Sequence, residues 1–175
     1  TVMVVLVALM VMMLPAAFAF ADEVTVVIFH TNDIHGRAEG TAAKDKDGNL
    51  VEKGSIGYAR YKTIIDAEKK ARGDQFVAVL DAGDALHGTN FATLSKGESM
   101  MELMKMVGVN LMALGNHEFN YGQEQLKALD DKYSASGPVL LGANITKEDG
   151  TPFLATPNSG GGDPSIFSVG VVGVT

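Results

Sequence analysis

An alternation of two patterns constrains this chain more than any other feature. Short runs of strand-forming residues, VTVVIF (24–29), FVAVL (76–80), NLMAL (110–114) and VLLGANI (139–145), are separated by segments of helical periodicity. The runs are too short and too rich in β-branched residues for helices. Between them IGYARYKTIIDAEKKAR (56–72), GESMMELMKMVG (97–108) and GQEQLKALDDKYSASG (122–137) space their apolar residues at three and four. The first of these helices has Ser55 as its expected N-cap and Gly73 as its stop. One more strand is expected in IFSVGVVGV (166–174), after the glycine-rich stretch NSGGGDPS (158–165). Such alternation predicts an α/β or layered α-β-β-α domain with buried strands. In open sheets of this kind, ligands bind beyond the strand ends.

Each of the first three expected strands runs out into the same kind of polar residue. After the first comes HTNDIHG (30–36), with Asp33 and His35 two apart. On extended backbone both would point to one side, where an oxygen and a nitrogen can chelate a divalent ion. After the second comes DAGDALHG (81–88), where Gly83 permits a sharp turn and the Asp84 carboxylate can bridge two ions. After the third comes GNHEFNYG (115–122), in which Asn116 offers a neutral oxygen suited to a hard or borderline ion. His117 beside it can be a ligand, a general acid or a phosphate contact. Singly, each string reads as an ordinary polar turn. Three successive exits with metal-type donors point to a metal site. His87 reads as structural, and Glu118 as a structural hydrogen-bond acceptor.

The remaining sequence narrows the setting. Residues 1–21, TVMVVLVALMVMMLPAAFAFA, carry no charge and end in an A-x-A pattern before Asp22. That is the grammar of a secretory signal peptide, here without a basic n-region, and an uncleaved anchor is the alternative. There are no cysteines, which rules out disulfides and thiolate zinc sites. A net charge of −7 argues against general binding to nucleic-acid polymers or anionic membranes. Phosphorylated substrates are still accessible, if metal ions supply local positive charge. KDKDGNLVEKG (44–54) reads as a surface turn or hairpin. Met100, Met101, Met104 and Met106 read as core filler, and Arg37 and Arg60 as surface residues.

The series D-x-H, G-D, G-N-H-E resembles that of the calcineurin-like metallophosphoesterases. The fuller strings HTNDIHG, DAGDALHGT and GNHEFNYG, together with GSIGYAR (54–60), resemble one branch of that family. It contains 5′-nucleotidases, UDP-sugar hydrolases and 2′,3′-cyclic-nucleotide 2′-phosphodiesterases. The resemblance implies a four-layer α-β-β-α sandwich of which residues 22–175 are the first half. It also implies an enzyme with a separate C-terminal substrate-binding domain, which the leader-like residues 1–21 would place outside the cytoplasm. Asp33 and His35 would bind the first metal, Asp84 would bridge, Asn116 would bind the second, and His117 would contact the phosphate. Two divalent ions (zinc, manganese, cobalt or iron) would activate water for attack on phosphorus. Nucleotides or nucleotide sugars would be the substrates.

Two departures stand out. No histidine follows His117, although family members complete the site with downstream histidines, so the chain is expected to be inactive alone. Asn120 stands where many nucleotidases of the branch carry an aspartate that orients the histidine. Its string is closer to the cyclic phosphodiesterase side. A non-catalytic exported binding module is the alternative of a different class.

Overall fold

The computed structural model describes residues 23–51, 54–154, 158–161 and 169–174. The expected leader lies outside them, as do residues 162–168 of the glycine-rich stretch and the last expected strand. In chain order come β1 (Val27–Thr31), β2 (Ala43–Lys44), β3 (Leu50–Val51), α1 (Gly57–Arg72) and β4 (Val77–Asp81). Then follow α2 (Asn90–Thr93), α3 (Glu98–Val107), β5 (Leu111–Ala113), a 3-10 turn (His117–Tyr121) and α4 (Gln123–Tyr133). The described elements end with β6 (Val139–Leu141), β7 (Asn158–Gly161) and β8 (Val169–Val172).

Four strands make one parallel sheet in the order β1-β4-β5-β6. Each crossover therefore steps to the next position in the same direction. Right-handed crossovers that all step one way place their helices on one face of the sheet. The core agrees: Tyr61 and Ile65 of α1, Met100, Met101 and Met104 of α3, and Leu126, Leu129 and Tyr133 of α4 cluster with Val79, Met112 and Leu140. The opposite face is poorly covered, with Ile28 54% exposed and Ala78, Leu80, Leu111 and Ala113 only half-buried. The described residues thus supply a sheet and its helical layer.

Several boundaries differ from the sequence expectation for local reasons. Pairing of β1 begins at Val27 because β4 begins at Val77, and the two run in register to Thr31 opposite Asp81. Ser55 does not cap α1; its hydroxyl meets Thr41, and Ile56 holds the N-cap position without a side-chain bond. Gly73 does stop that helix, its N–H donating to Lys69 O. Residues 158–161, in the glycine-rich stretch, pair antiparallel with β8. The hairpin β2–β3 forms as expected, its turn held by Asp45, whose carboxylate accepts the N–H groups of Asp47 and Asn49. Of the methionines, Met106 is not core: it is 70% exposed, two residues beyond Met104 and so on the other side of α3.

The last residue of β4 sets an electrostatic condition. Asp81 is 3% exposed and accepts hydrogen bonds from Thr31 Oγ1 (2.6 Å) and Gly83 N (2.8 Å). Burial pushes its carboxyl up to about 6, with the charges of Glu118 and Asp33 adding to the rise and the two hydrogen bonds opposing it. A folded pKa above the ordinary 3.8 favours the folded state most below that value, and the advantage is lost as pH rises through about 6. In chelator-treated protein, Asp81→Asn is expected to flatten this stability slope, worth on the order of 3 kcal/mol. Urea denaturation at about pH 4 and about pH 7 reads it; an unchanged slope would remove Asp81 as its source.

Candidate metal centre

The exits of β1, β4 and β5 lie side by side because their strands are neighbours, and backbone bonds tie them further. Asp33 N donates to Gly83 O (3.0 Å), His35 N to Asp84 O (2.9 Å) and Gly36 N to Ala85 O (3.0 Å). The first two exits thus continue as a paired ribbon past the end of the sheet. Asp33, His35 and Asp84 each offer a ligand atom within 4.8 Å of the others, and His35 Nε2 lies 3.7 Å from Asp33 Oδ1.

Their backbones reach this arrangement by a route the sequence reading did not anticipate. Asp33 (φ 53°), His35 (φ 48°) and Asp84 (φ 58°) are all left-handed, and among the described residues only Lys96 joins them as a non-glycine with positive φ. Asp33 and His35 therefore do not converge by strand alternation on extended backbone. Two left-handed turns aim them, at a cost of about 1–2 kcal/mol per residue. Asp and His are among the side chains that tolerate this region best. The interstrand bonds just described hold the geometry in place.

Glycines bring the second and third exits into contact. Gly83 (φ 101°) lies so close to Gly115 that a Cβ on it would meet Gly115 N at 2.6 Å. A Cβ on Gly115 would meet Asp84 Oδ1 at 2.3 Å. Asp84 Oδ1 accepts the N–H of His117 (2.9 Å). Asn116 is thus bracketed by two residues whose backbones abut the Asp84 carboxylate, with its own side chain exposed.

Beneath them lies Glu118, 2% exposed. Its carboxylate accepts the N–H groups of Asp84 (2.8 Å), Ala85 (2.9 Å), Leu86 (3.1 Å) and Gly115 (2.7 Å). A carboxylate with four donors is fully engaged in structure, as the sequence reading expected of Glu118.

The His117 ring is held on several sides. Asn120 Nδ2 lies 2.8 Å from His117 Nδ1, with either amide orientation able to satisfy that nitrogen. The His35 ring meets it edge-on, centroids 5.1 Å apart at 81°. His87, read from sequence as merely structural, stacks on it with centroids 5.6 Å apart and planes within 5°. The one signal that could have flagged His87 is its place three residues after Asp84 in the same exit. A cleft of about 360 Å³ opens beside Asp33, lined also by His30, Arg37, Ser55 and Tyr61.

A parallel sheet thus gathers Asp33, His35 and Asp84 at adjacent strand exits, where their three donor atoms could hold a divalent ion. The chain belongs to the calcineurin-like phosphoesterase family, whose profile matches residues 26–169. Its relatives include a 5′-nucleotidase of Diplobatis ommata, 42% identical over 131 residues, covering 74% of this chain and 22% of that protein. A 5′-nucleotidase of Bos taurus is 37% identical over 152 residues, covering 85% of this chain and 25% of that one. Among solved structures, a 5′-nucleotidase precursor from Thermus thermophilus superposes with a TM-score of 0.64 at 26% identity, covering 85% of this chain and 28% of that chain. The chain therefore spans roughly a quarter of the length of these proteins. The family is metal-dependent, and the oxygen-and-nitrogen donor set gathered here fits a divalent ion.

Replacing Glu118 by Gln keeps the shape but turns one acceptor oxygen into a donor facing donors. Glu118→Gln is expected to destabilise the protein by on the order of 3 kcal/mol, measured by chemical denaturation. A variant as stable as the parent would show that the four N–H groups do not depend on the charge.

Proposed function

We propose that the full-length protein carrying this segment is a metal-dependent hydrolase of nucleotide phosphate esters, of the 5′-nucleotidase or UDP-sugar hydrolase type. The observation that carries this reading is the convergence of Asp33, His35 and Asp84 within 4.8 Å, next to a histidine ring. Asp33 and His35 would hold a first ion, Asp84 would bridge to a second, and Asn116 would serve the second. Bound ions of this kind polarise a phosphoryl group and lower the pKa of water. Zinc, manganese, cobalt and iron all suit the donor set. The further ligands of the second ion would come from parts of the protein outside this chain, so the segment alone is proposed to be inactive.

The chain's own residues have distinct tasks in this scheme. His35 would hold the first ion through a ring nitrogen, its ring placed by the left-handed turn and by the crossing His117 ring. His117, bound through Nδ1 by Asn120, keeps Nε2 to meet a phosphate oxygen or the leaving group. The cleft beside Asp33 gives the ester room to approach, with Arg37 on its wall as a countercharge to phosphate. The bare face of the sheet, with Ile28 exposed, suits the second sheet of a four-layer sandwich.

Asn120 supports a second reading. An amide, unlike a carboxylate, adds no charge to favour imidazolium, so the His117 ring lacks the aspartate found in many nucleotidases of the branch. A 2′,3′-cyclic-nucleotide phosphodiesterase with 3′-nucleotidase activity fits this substitution. Export is proposed from the leader-like residues 1–21, which would place the enzyme outside the cytoplasm. No helix among the described residues is long and apolar enough to cross a membrane.

Two substitutions in the full-length protein test the assignments. His117→Ala is expected to lower phosphate release from a nucleoside 5′-monophosphate or a 2′,3′-cyclic nucleotide by about 10²–10⁴. Undiminished turnover on both would refute its role, and the better substrate decides between the two readings. Asp84→Ala is expected to strip both ions, read by elemental analysis of the dialysed protein. Two ions retained would defeat the bridging assignment.

A further inference from the structure

We infer that His87 is a positioning residue for His117, setting the plane of its imidazole by parallel, offset stacking. The inference rests on the functional reading above, in which His117 meets the phosphate. A hydrogen bond at Nδ1 fixes one atom of the ring but leaves the ring able to tilt about that contact. The His35 ring, 5.1 Å away and crossed at 81°, bears on it from one direction. His87 supplies the face: centroids 5.6 Å apart and planes 5° apart are an offset stack within the preferred range for aromatic pairs. Together the three contacts define position, tilt and plane.

His87 is itself held firmly enough to act as a stop. The Tyr121 ring packs against it, centroids 5.5 Å apart at 52°. Tyr121 belongs to the same 3-10 turn as His117, so His87 packs on two rings of that turn. Next in the chain, Gly88 (φ 140°) lies so close to the β1 exit that a Cβ would meet His35 O at 2.1 Å. Thr89 N donates to that same His35 oxygen (3.2 Å), and Thr89 Oγ1 donates to Gly36 O (2.5 Å). The segment carrying His87 is therefore clamped to the exit that carries Asp33 and His35. Through His87, the position of the first exit is passed to the ring at the third.

This role is separable from filling space, because it acts through one other residue. The experiment compares His87→Ala, His87→Phe, His117→Ala and the double variant H87A/H117A in the full-length protein. Hydrolysis of a nucleoside 5′-monophosphate is followed with added manganese. His87→Ala is expected to lower kcat on the order of 10-fold with KM nearly unchanged, since a small misplacement of a catalytic group has effects of this size. His87→Phe, which keeps the stacking face, should recover most of the loss. In the H117A background, loss of His87 should cost nothing further. In metal-free protein labelled with ¹³C at histidine Cε1, the His117 resonance should move in H87A and return towards its position in H87F.

An equal loss from H87A in the H117A background would overturn the inference, as would failure of H87F to rescue. A rise in KM with kcat intact would make His87 a binding residue instead and overturn it equally. A shifted His117 resonance with unchanged kcat would overturn it too, by showing stacking without consequence for the reaction. If His117→Ala itself leaves turnover undiminished, the functional reading fails and the positioning role falls with it. The ring resonance still reports in that case whether the stack exists.

Discussion

The candidate site depends on one buried carboxylate more than on any of its own donors. Glu118 gathers N–H groups from the β4 exit at Asp84, Ala85 and Leu86 and from the β5 exit at Gly115. Two loops that share no ladder bonds beyond the sheet are thereby fixed to one point. A left-handed residue such as Asp84 leaves its neighbours' N–H groups turned inward, where water cannot reach them. Each would carry a desolvation cost if unpaired. One side chain answers them all, and only a carboxylate has enough acceptor sites with no donor of its own.

Topology explains why there is a loop edge to organise. Strand order β1-β4-β5-β6 follows chain order, so successive exits are also spatial neighbours. Gly83, Gly115 and Gly88 then allow backbones to approach more closely than any side chain permits. The same unidirectional order leaves one face of the sheet without helices among the described residues, and Ile28, Ala78, Leu80, Leu111 and Ala113 make that face apolar. Fold and site are thus two consequences of one winding direction.

How much of this was legible in the sequence varies by element. The helix and strand order was readable because periodicity is a local signal, and the long helix 57–72 was placed within a residue of its observed ends. Strand limits were less readable, since register belongs to the partner: β1 starts where β4 does, not where the β-branched run begins. The cluster of Asp33, His35 and Asp84 was legible as residue types at strand exits. Its geometry was not, because two residues apart suggested extended backbone and the structure uses left-handed turns. His87 was read as structural, because its stacking on His117 joins two loops and is a tertiary contact that residue types alone do not announce.

On the proposed reading, the electrostatics of the site would set an order of binding. Asp33, Asp81, Asp84 and Glu118 crowd around the exits of β1, β4 and β5, and burial raises the carboxyl pKa of Asp81, with smaller contributions from the charges of Glu118 and Asp33. Glu118 is compensated by backbone dipoles and Asp81 can hold a proton. Asp33 and Asp84 have neither remedy in comparable measure, although Asn32 donates to Asp33 (2.7 Å) and His117 N to Asp84 (2.9 Å). Negative charge held in place by strained backbone is stabilised most by a cation that it can chelate. A phosphate ester could enter such a site only once that cation had reversed the sign of the local field. On the proposed reading, the charges crowded at these exits would therefore admit a metal first and an anion second.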